Sequence, residues 1–242
     1  MAMAAKVYNL QFTAVVDPKI TPANLQMLKH YGAHIDMVDE LDDQGGYLKT
    51  RIRRVQELLN IIPHNQWINQ YANPLNWQAH YFWTASEIIS QLDKPIDCLV
   101  LGVGTGGTII GTTRRLREEF PQIKVIAVDA VGSVTFGGSP GARKIPGIGT
   151  SRVPELLRPN EIEKVGIDEV VYVSDEESVQ GCRNLLVHEG IFAGGSSGSV
   201  VAAIQKLLPT FTPGDRVLTL FPDRGERYLD LVYEDAWIPH VA

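Results

Sequence analysis

Residues 99–111 read "LVLGVGTGGTIIG". An apolar run leads into a glycine-rich turn and then into residues with helical character. Such a junction is a natural phosphate site, because the first backbone N–H groups of a helix lack partners and point outward. Gly102, Gly104 and Gly107 also satisfy the spacing G-x-G-x-x-G of dinucleotide-binding folds. Which phosphate the turn holds decides how the rest of the chain is read.

Downstream of this junction, strands and helices alternate. "KVIAVDA" and "DEVVYVS" read as strands, and Ser174 or Asp175 caps the helix "EESVQGCRNLLVHEG". "GGSSG" opens another helix, and "DRVLTLFPD" is the last expected strand. Apolar strands separated by helices predict an α/β fold with a parallel, doubly wound sheet covered on both faces. Upstream, "KVYNLQFTAVV" reads as a strand starting almost at the first residue. Thr21 then caps a helix that has Pro22 at its first position and stops at Gly32. "HIDMV" is a short strand, the stretch 47–62 a helix, and "LNWQAHYFWTASEIISQL" one long aromatic helix. The loop "NQYANP" suggests a domain boundary near residue 72, giving domains 1–72 and 73–242.

With 242 residues, 44% apolar and 21% charged, the composition is that of an ordinary globular protein. The net charge of -6 argues against nucleic acid or an anionic membrane as the main partner. Two cysteines, Cys98 and Cys182, provide no disulfide framework, so a cytoplasmic setting is expected. No apolar run reaches the roughly 20 residues of a membrane span. His30, His34, His64, His80 and His188 show no metal-ligand spacing, so structural roles are expected for them and no metal site is read.

Three chemistries compete for the glycine turns. A dinucleotide site is supported by Asp129, which ends the next strand at about the 20-residue offset of a ribose ligand. Against it, nearly a hundred residues precede the fingerprint, and the turn carries the hydroxyls of Thr105 and Thr108. A serine hydrolase is suggested by Gly194-Gly195-Ser196-Ser197-Gly198, with Asp223 and His240 following in hydrolase order. The third reading joins both glycine motifs. "GTGGT" offers amides and hydroxyls to a phosphate, while "GGSSG" offers a hydroxyl to the ring nitrogen of a heterocycle. A phosphate and a ring nitrogen held at opposite ends describe pyridoxal 5'-phosphate.

At this point the chain resembles a known family. "GTGGT", "PGIGTSRVPELL", "EGIFAGGSSGS" and "FPDRGERYL" are similar to the pyridoxal-phosphate enzymes of the cysteine synthase and cystathionine β-synthase group. "VVDPKITPANLQMLKHYGAHI" and "NQYANPLNWQAHYFWTASEI" match it in the same order. The resemblance covers essentially the whole chain. Within the group, "QYANPLNWQAHY" and "PDRGERYLDLVY" look most like the diaminopropionate-forming synthases of siderophore pathways, which join O-phosphoserine to glutamate. The resemblance implies fold type II, as in the tryptophan synthase β subunit, with a large cofactor domain and a remnant of a smaller α/β domain. It also implies β-replacement on an activated serine through an aminoacrylate, small amino-acid substrates and a homodimer.

Carried over residue by residue, Gly104, Thr105, Gly106, Gly107 and Thr108 would hold the cofactor phosphate, and Ser196 would face the pyridine nitrogen. Gly147, Ile148 and Gly149 match the glycine loop at the mouth of the site. Arg51, Arg143, Lys144 and Arg152 are candidates to clamp a substrate carboxylate or phosphate, with Arg51 and Tyr71 chosen first. The family's Schiff-base lysine and its substrate-gripping Ser-Gly-Asn-type loop have no counterpart here. Lys6 and Lys19 lie in no matching context. The resulting expectation is a family member truncated at its N-terminus and inactive as an isolated chain, with no catalytic residue assigned. The alternatives are a nicotinamide-dependent oxidoreductase and a non-catalytic remnant or binding subunit.

Overall fold

The computed structural model describes residues 1–42 and 45–234. They form two compact units, Met1–Ile68 and Asn69–Ala242. The observed break precedes the expected one by the short loop 69–72. That loop is tied into the second unit: the Tyr71 carbonyl accepts from the Leu156 N–H at 3.0 Å, and the Gln70 carbonyl accepts from Asn76 Nδ2 at 2.6 Å.

In the first unit the expected strand at the start is half wrong. Ala2–Val7 form helix α1, and only Thr13–Val16 form strand β1. Three alanines favour the helix, and Asn9 at φ 53° breaks the chain direction between the two elements. Helix α2 (Pro22–His30) starts as read, with the Thr21 side chain accepting from the Asn24 N–H at 3.3 Å. It leads to strand β2 (His34–Met37), which pairs with β1 in parallel. Helix α3 (Leu48–Ile61) lies against β1. The Arg54 guanidinium straddles the Asp36 carboxylate at 3.0 and 2.9 Å, and Arg51 Nε faces Asp17 Oδ2 at 3.1 Å.

The second unit opens with a helix of three parts. Leu75–Ala79 form α4, His80–Thr84 a π-helical turn, and Ala85–Gln91 form α5. Strand β3 (Cys98–Gly102) runs into helix α6 (Gly107–Glu119), followed by β4 (Lys124–Ala130). After a long irregular stretch come α7 (Pro159–Val165) and β5 (Glu169–Val173). Then follow α8 (Asp175–Glu189), α9 (Gly195–Leu207) and β6, which is only Val217–Leu218 where a longer strand was expected. Ser174 is the cap of α8, in a reciprocal capping box with Glu177.

The four strands are parallel in the order β5-β4-β3-β6. Alternate side chains of β3 and β4 feed two separate cores. Cys98, Val100, Ile126 and Val128 pack with Val179, Cys182, Val200 and Ala203 of α8 and α9. Leu99, Leu101, Val125 and Ala127 pack with Ile109, Ile110 and Leu116 of α6 and with Ala85 of α5. Both faces of the sheet are therefore dry, which is why its strands read as continuous apolar runs. Among the described residues no helix is long and apolar enough to cross a membrane.

Candidate functional site

The C-terminal end of β3 and the N-termini of α6 and α9 open onto one cavity of about 560 Å³ within the second unit. The β3–α6 turn depends on Gly106, whose φ of 90° lies in the left-handed region and whose hypothetical Cβ would sit 2.5 Å from Leu157 Cγ. No other residue type fits there without displacing Leu157. Gly104, Thr105, Gly106, Gly107 and Thr108 all line the cavity. Among the described residues no protein group accepts from their backbone N–H groups. Five unused amides at a helix N-terminus make an anion cradle.

Side chains from the three-part helix hold the hydroxyls of this cradle. Asn76 Nδ2 donates to Thr105 Oγ1 at 3.0 Å, so the threonine accepts there and keeps its own proton for a ligand. His80 bridges two threonines: Nδ1 lies 3.1 Å from Thr84 Oγ1 and Nε2 lies 3.3 Å from Thr108 Oγ1. Burial pushes the His80 pKa down, which keeps the imidazole neutral at neutral pH. With its proton on Nε2, it donates to Thr108 and leaves that hydroxyl also free to donate. The close approach rests on Gly111 of α6, where a Cβ would meet the Trp77 carbonyl at 2.1 Å.

At the other end Ser196 lines the cavity from the first turn of α9. Its hydroxyl has no hydrogen-bond partner among the described residues. Gly147, Gly149 and Thr150 form a further wall, with Gln70 and Tyr71. The Tyr71 ring carries the Arg152 guanidinium 4.9 Å from its centre, and Arg152 Nη1 is paired with Glu155 at 2.9 Å.

The other candidates are not among the residues that line this cavity. Ile148 stands between two cavity-lining glycines, yet its side chain is buried in the core beneath. Arg51 belongs to the first unit, where Asp17 engages it. Arg143 is committed to the carbonyls of Gly132 and Thr150 and to Ser151 Oγ. Asp129 is wholly buried and presents nothing to a ribose. Of the hydrolase set, Asp223 is bonded by the Tyr228 hydroxyl, and His240 lies outside the described residues. Trp77 lies beneath Arg114 at 4.4 Å, and Trp83 is exposed. Sequence reasoning missed Gln70 and Asn76 and gave His80 only a structural role. Asn76, His80 and Thr84 recur every fourth residue on a largely apolar helix, a polar stripe that would have flagged two of them.

Comparison with known proteins agrees with this geometry. Residues 1–223 match the family model described as pyridoxal-phosphate dependent enzyme. The chain is 55% identical over 242 residues to the N-(2-amino-2-carboxyethyl)-L-glutamate synthase of Ralstonia nicotianae. It is 56% identical over 245 residues to the enzyme of the same name from Cupriavidus metallidurans. In each case the whole chain aligns with 70% of the relative. Among solved structures, the O-acetylserine dependent cystathionine beta-synthase of Helicobacter pylori superposes with a TM-score of 0.85 at 34% identity, over 95% of this chain and 72% of that one. A hydrogen sulfide-producing enzyme from Fusobacterium nucleatum gives 0.84 at 28%, over 94% and 75%. Sheet topology, paired glycine turns and full-length similarity converge: the chain belongs to the family of pyridoxal-phosphate dependent enzymes.

Proposed function

We propose that the cavity binds pyridoxal 5'-phosphate, with the phosphate on Gly104–Thr108 and the ring nitrogen at Ser196. The family reaction to which this cavity belongs is β-replacement on an activated serine, O-phosphoserine or O-acetylserine, with the amine of glutamate as the incoming nucleophile, and the isolated chain does not turn these substrates over. One observation carries the reading: a single cavity has unused amides at one end and an unpaired buried hydroxyl at the other. That donor set fits a phosphorylated heterocycle. The names of the two synthases and of the Helicobacter pylori structure support the reaction class.

When bound, pyridoxal phosphate supplies an electron sink that labilises an amino acid's α-proton and lets its β-substituent depart. This chain's residues provide the setting. The cradle amides and the Thr105 and Thr108 hydroxyls take the phosphate dianion without burying a counter-charge. Ser196 offers the ring nitrogen a neutral hydroxyl, so nothing at that end holds the nitrogen protonated as a carboxylate would. Gly147 and Gly149 leave room at the mouth for substrate, and Tyr71 closes one side. Among the described residues no lysine lines the cavity, so binding by these walls is non-covalent. A cytoplasmic setting suits the buried thiols of Cys98 and Cys182, both pushed up to about 11 by burial. A homodimer belongs to the same reading and is checked by light scattering.

The test is addition of pyridoxal phosphate, followed by melting temperature and borohydride reduction. The expected result is a saturable rise in melting temperature, abolished by Thr105→Val with Thr108→Val, and no reduced lysine adduct. A rise with a nicotinamide dinucleotide instead would overturn the cofactor assignment. An adduct at one lysine with turnover of O-phosphoserine would overturn the non-covalent mode.

A further inference from the structure

Residues 222–233 read "PDRGERYLDLVY". Pro222 lines the cavity, as do Leu220 and Phe221 before it, whereas residues 223–233 do not. These bond instead to the residues that lead into α9, just ahead of Ser196. The Gly225 N–H donates to the Phe192 carbonyl at 3.1 Å, and the Tyr233 hydroxyl donates to the Ala193 carbonyl at 2.6 Å. The Gly194 N–H in turn donates to the Asp223 carbonyl at 3.0 Å. Phe192, Ala193 and Gly194 are thus each tied to this segment.

The segment is also fastened to itself and to α8. The Tyr228 hydroxyl donates to Asp223 Oδ2, and the Tyr228 carbonyl accepts from the N–H groups of Val232 at 2.8 Å and Tyr233 at 3.3 Å. Arg183 Nη2, on α8, donates to the Glu234 carbonyl at 2.7 Å. Contact with the start of α9 is tight. A Cβ on Gly194 would stand 2.0 Å from Asp223 Oδ1 and 2.7 Å from Tyr228 Cε2, and one on Gly195 would stand 3.3 Å from Val232 Cγ2. The Phe192 and Tyr233 rings lie 4.5 Å apart. Ala193 is buried, and among the described residues only Tyr233 donates to its carbonyl. Burial pushes the Tyr233 hydroxyl up to about 12, so it keeps its proton at neutral pH.

All the bonds to Phe192, Ala193 and Gly194 fall on backbone, and the Ser196 hydroxyl is left without a partner among the described residues. A hydroxyl with no partner of its own is placed only by its backbone, and a hydrogen bond weakens steeply outside a narrow range of distance and angle. We propose that Tyr233 is a positioning residue for the cavity: by holding the Ala193 carbonyl, with Asp223 holding the next amide, it sets where the first turn of α9 presents Ser196. The functional consequence rests on the reading of that hydroxyl as the partner of the pyridoxal phosphate ring nitrogen. A merely structural tyrosine would affect both ends of the cavity alike. A positioning one acts on the ring end and leaves the phosphate end alone.

The test uses the whole chain and Tyr233→Phe, which keeps the ring beside Phe192 and removes only the hydroxyl. In the ligand-free protein, hydrogen exchange at the Gly194 amide should accelerate about fivefold, one hydrogen bond's contribution. The Ile110 amide, bonded to the Gly106 carbonyl at the start of α6, should be unchanged. Pyridoxal phosphate affinity, from fluorescence titration, should fall about fivefold, while inorganic phosphate, which fills only the cradle, should bind as before. In a Ser196→Ala background the same substitution should change pyridoxal phosphate affinity by less than about twofold, because the hydroxyl it positions is gone. If Tyr233→Phe fails to fold, Tyr228→Phe, which releases the Asp223 carboxylate, is read in the same way. Unchanged Gly194 exchange, an equal loss of both ligands, or a full loss persisting beside Ser196→Ala overturns the proposal. Faster Gly194 exchange in a chain that never binds pyridoxal phosphate refutes the cofactor reading and leaves the hold of Tyr233 on α9 standing.

Discussion

Two helices of the second unit begin at the same cavity, and their N-termini are built differently. At α6 both threonine hydroxyls are held by side chains of a neighbouring helix, Thr105 by Asn76 and Thr108 by His80. At α9 the Ser196 hydroxyl is held by nothing among the described residues. The first end is set before any ligand arrives, whereas the second is completed only by a ligand. Preset donors suit a phosphate, which carries full negative charge at neutral pH. A single uncommitted hydroxyl suits a ring nitrogen, which can accept a hydrogen bond but presents no full charge.

The largest expected effect tests how rigid the preset end is. Gly106→Val forces a branched side chain into left-handed backbone and into Leu157, and should cost about 3 kcal/mol or more in urea unfolding. A loss below about 1 kcal/mol would mean that the turn yields, and the contrast would fail. Next, Asn76→Ala removes one donor from Thr105 and should weaken pyridoxal phosphate binding about fivefold, measured by fluorescence titration. His80→Ala should do the same through Thr108, with Thr84 unaffected in position. The smallest effect on stability belongs to Ser196→Ala, within about 0.5 kcal/mol, because no protein hydrogen bond is lost. A clear loss of stability there would reveal a partner for Ser196 and erase the difference between the two ends.

A pH series sharpens the same comparison. His80 is depressed by burial, so the folded protein binds its proton less readily than the unfolded chain. Its contribution is complete above about pH 6.5 and is lost as pH falls below that through the folded value. Melting temperatures of the parent should therefore drop between about pH 7 and pH 5 more steeply than those of His80→Asn.

Much of this site was legible in the sequence, for a physical reason. "GTGGT", "PGIGT" and "GGSSG" are local motifs in which glycine spacing alone implies turns and helix starts, and all three meet at the C-terminal end of one sheet. Asn76 and His80 were less visible because their role comes from helix packing against Gly107 and Gly111, which no local pattern reports, and Gln70 because it lies in the loop before that helix. Ile148 shows the converse error. Its neighbours line the cavity, but a chain in extended or turn conformation sends successive side chains in opposite directions. The strand read over residues 6–16 misled at its start, where Lys6 and Val7 close a helix favoured by the alanines before them.

The π-helical turn at His80–Thr84 gives the length of its helix a meaning. A π turn holds one residue more than an α turn, and each residue of an α-helix accounts for about 100° of rotation. The stretches before and after it are therefore out of phase with a straight helix. Deleting one residue between Tyr81 and Trp83 would keep every residue named in the cavity and still permit an unbroken α-helix. It would also turn α4 against α5 by about 100° and carry Asn76 away from Thr105. An aligned relative with a one-residue gap at this point would thus be a protein with every cavity residue present and its cradle out of register.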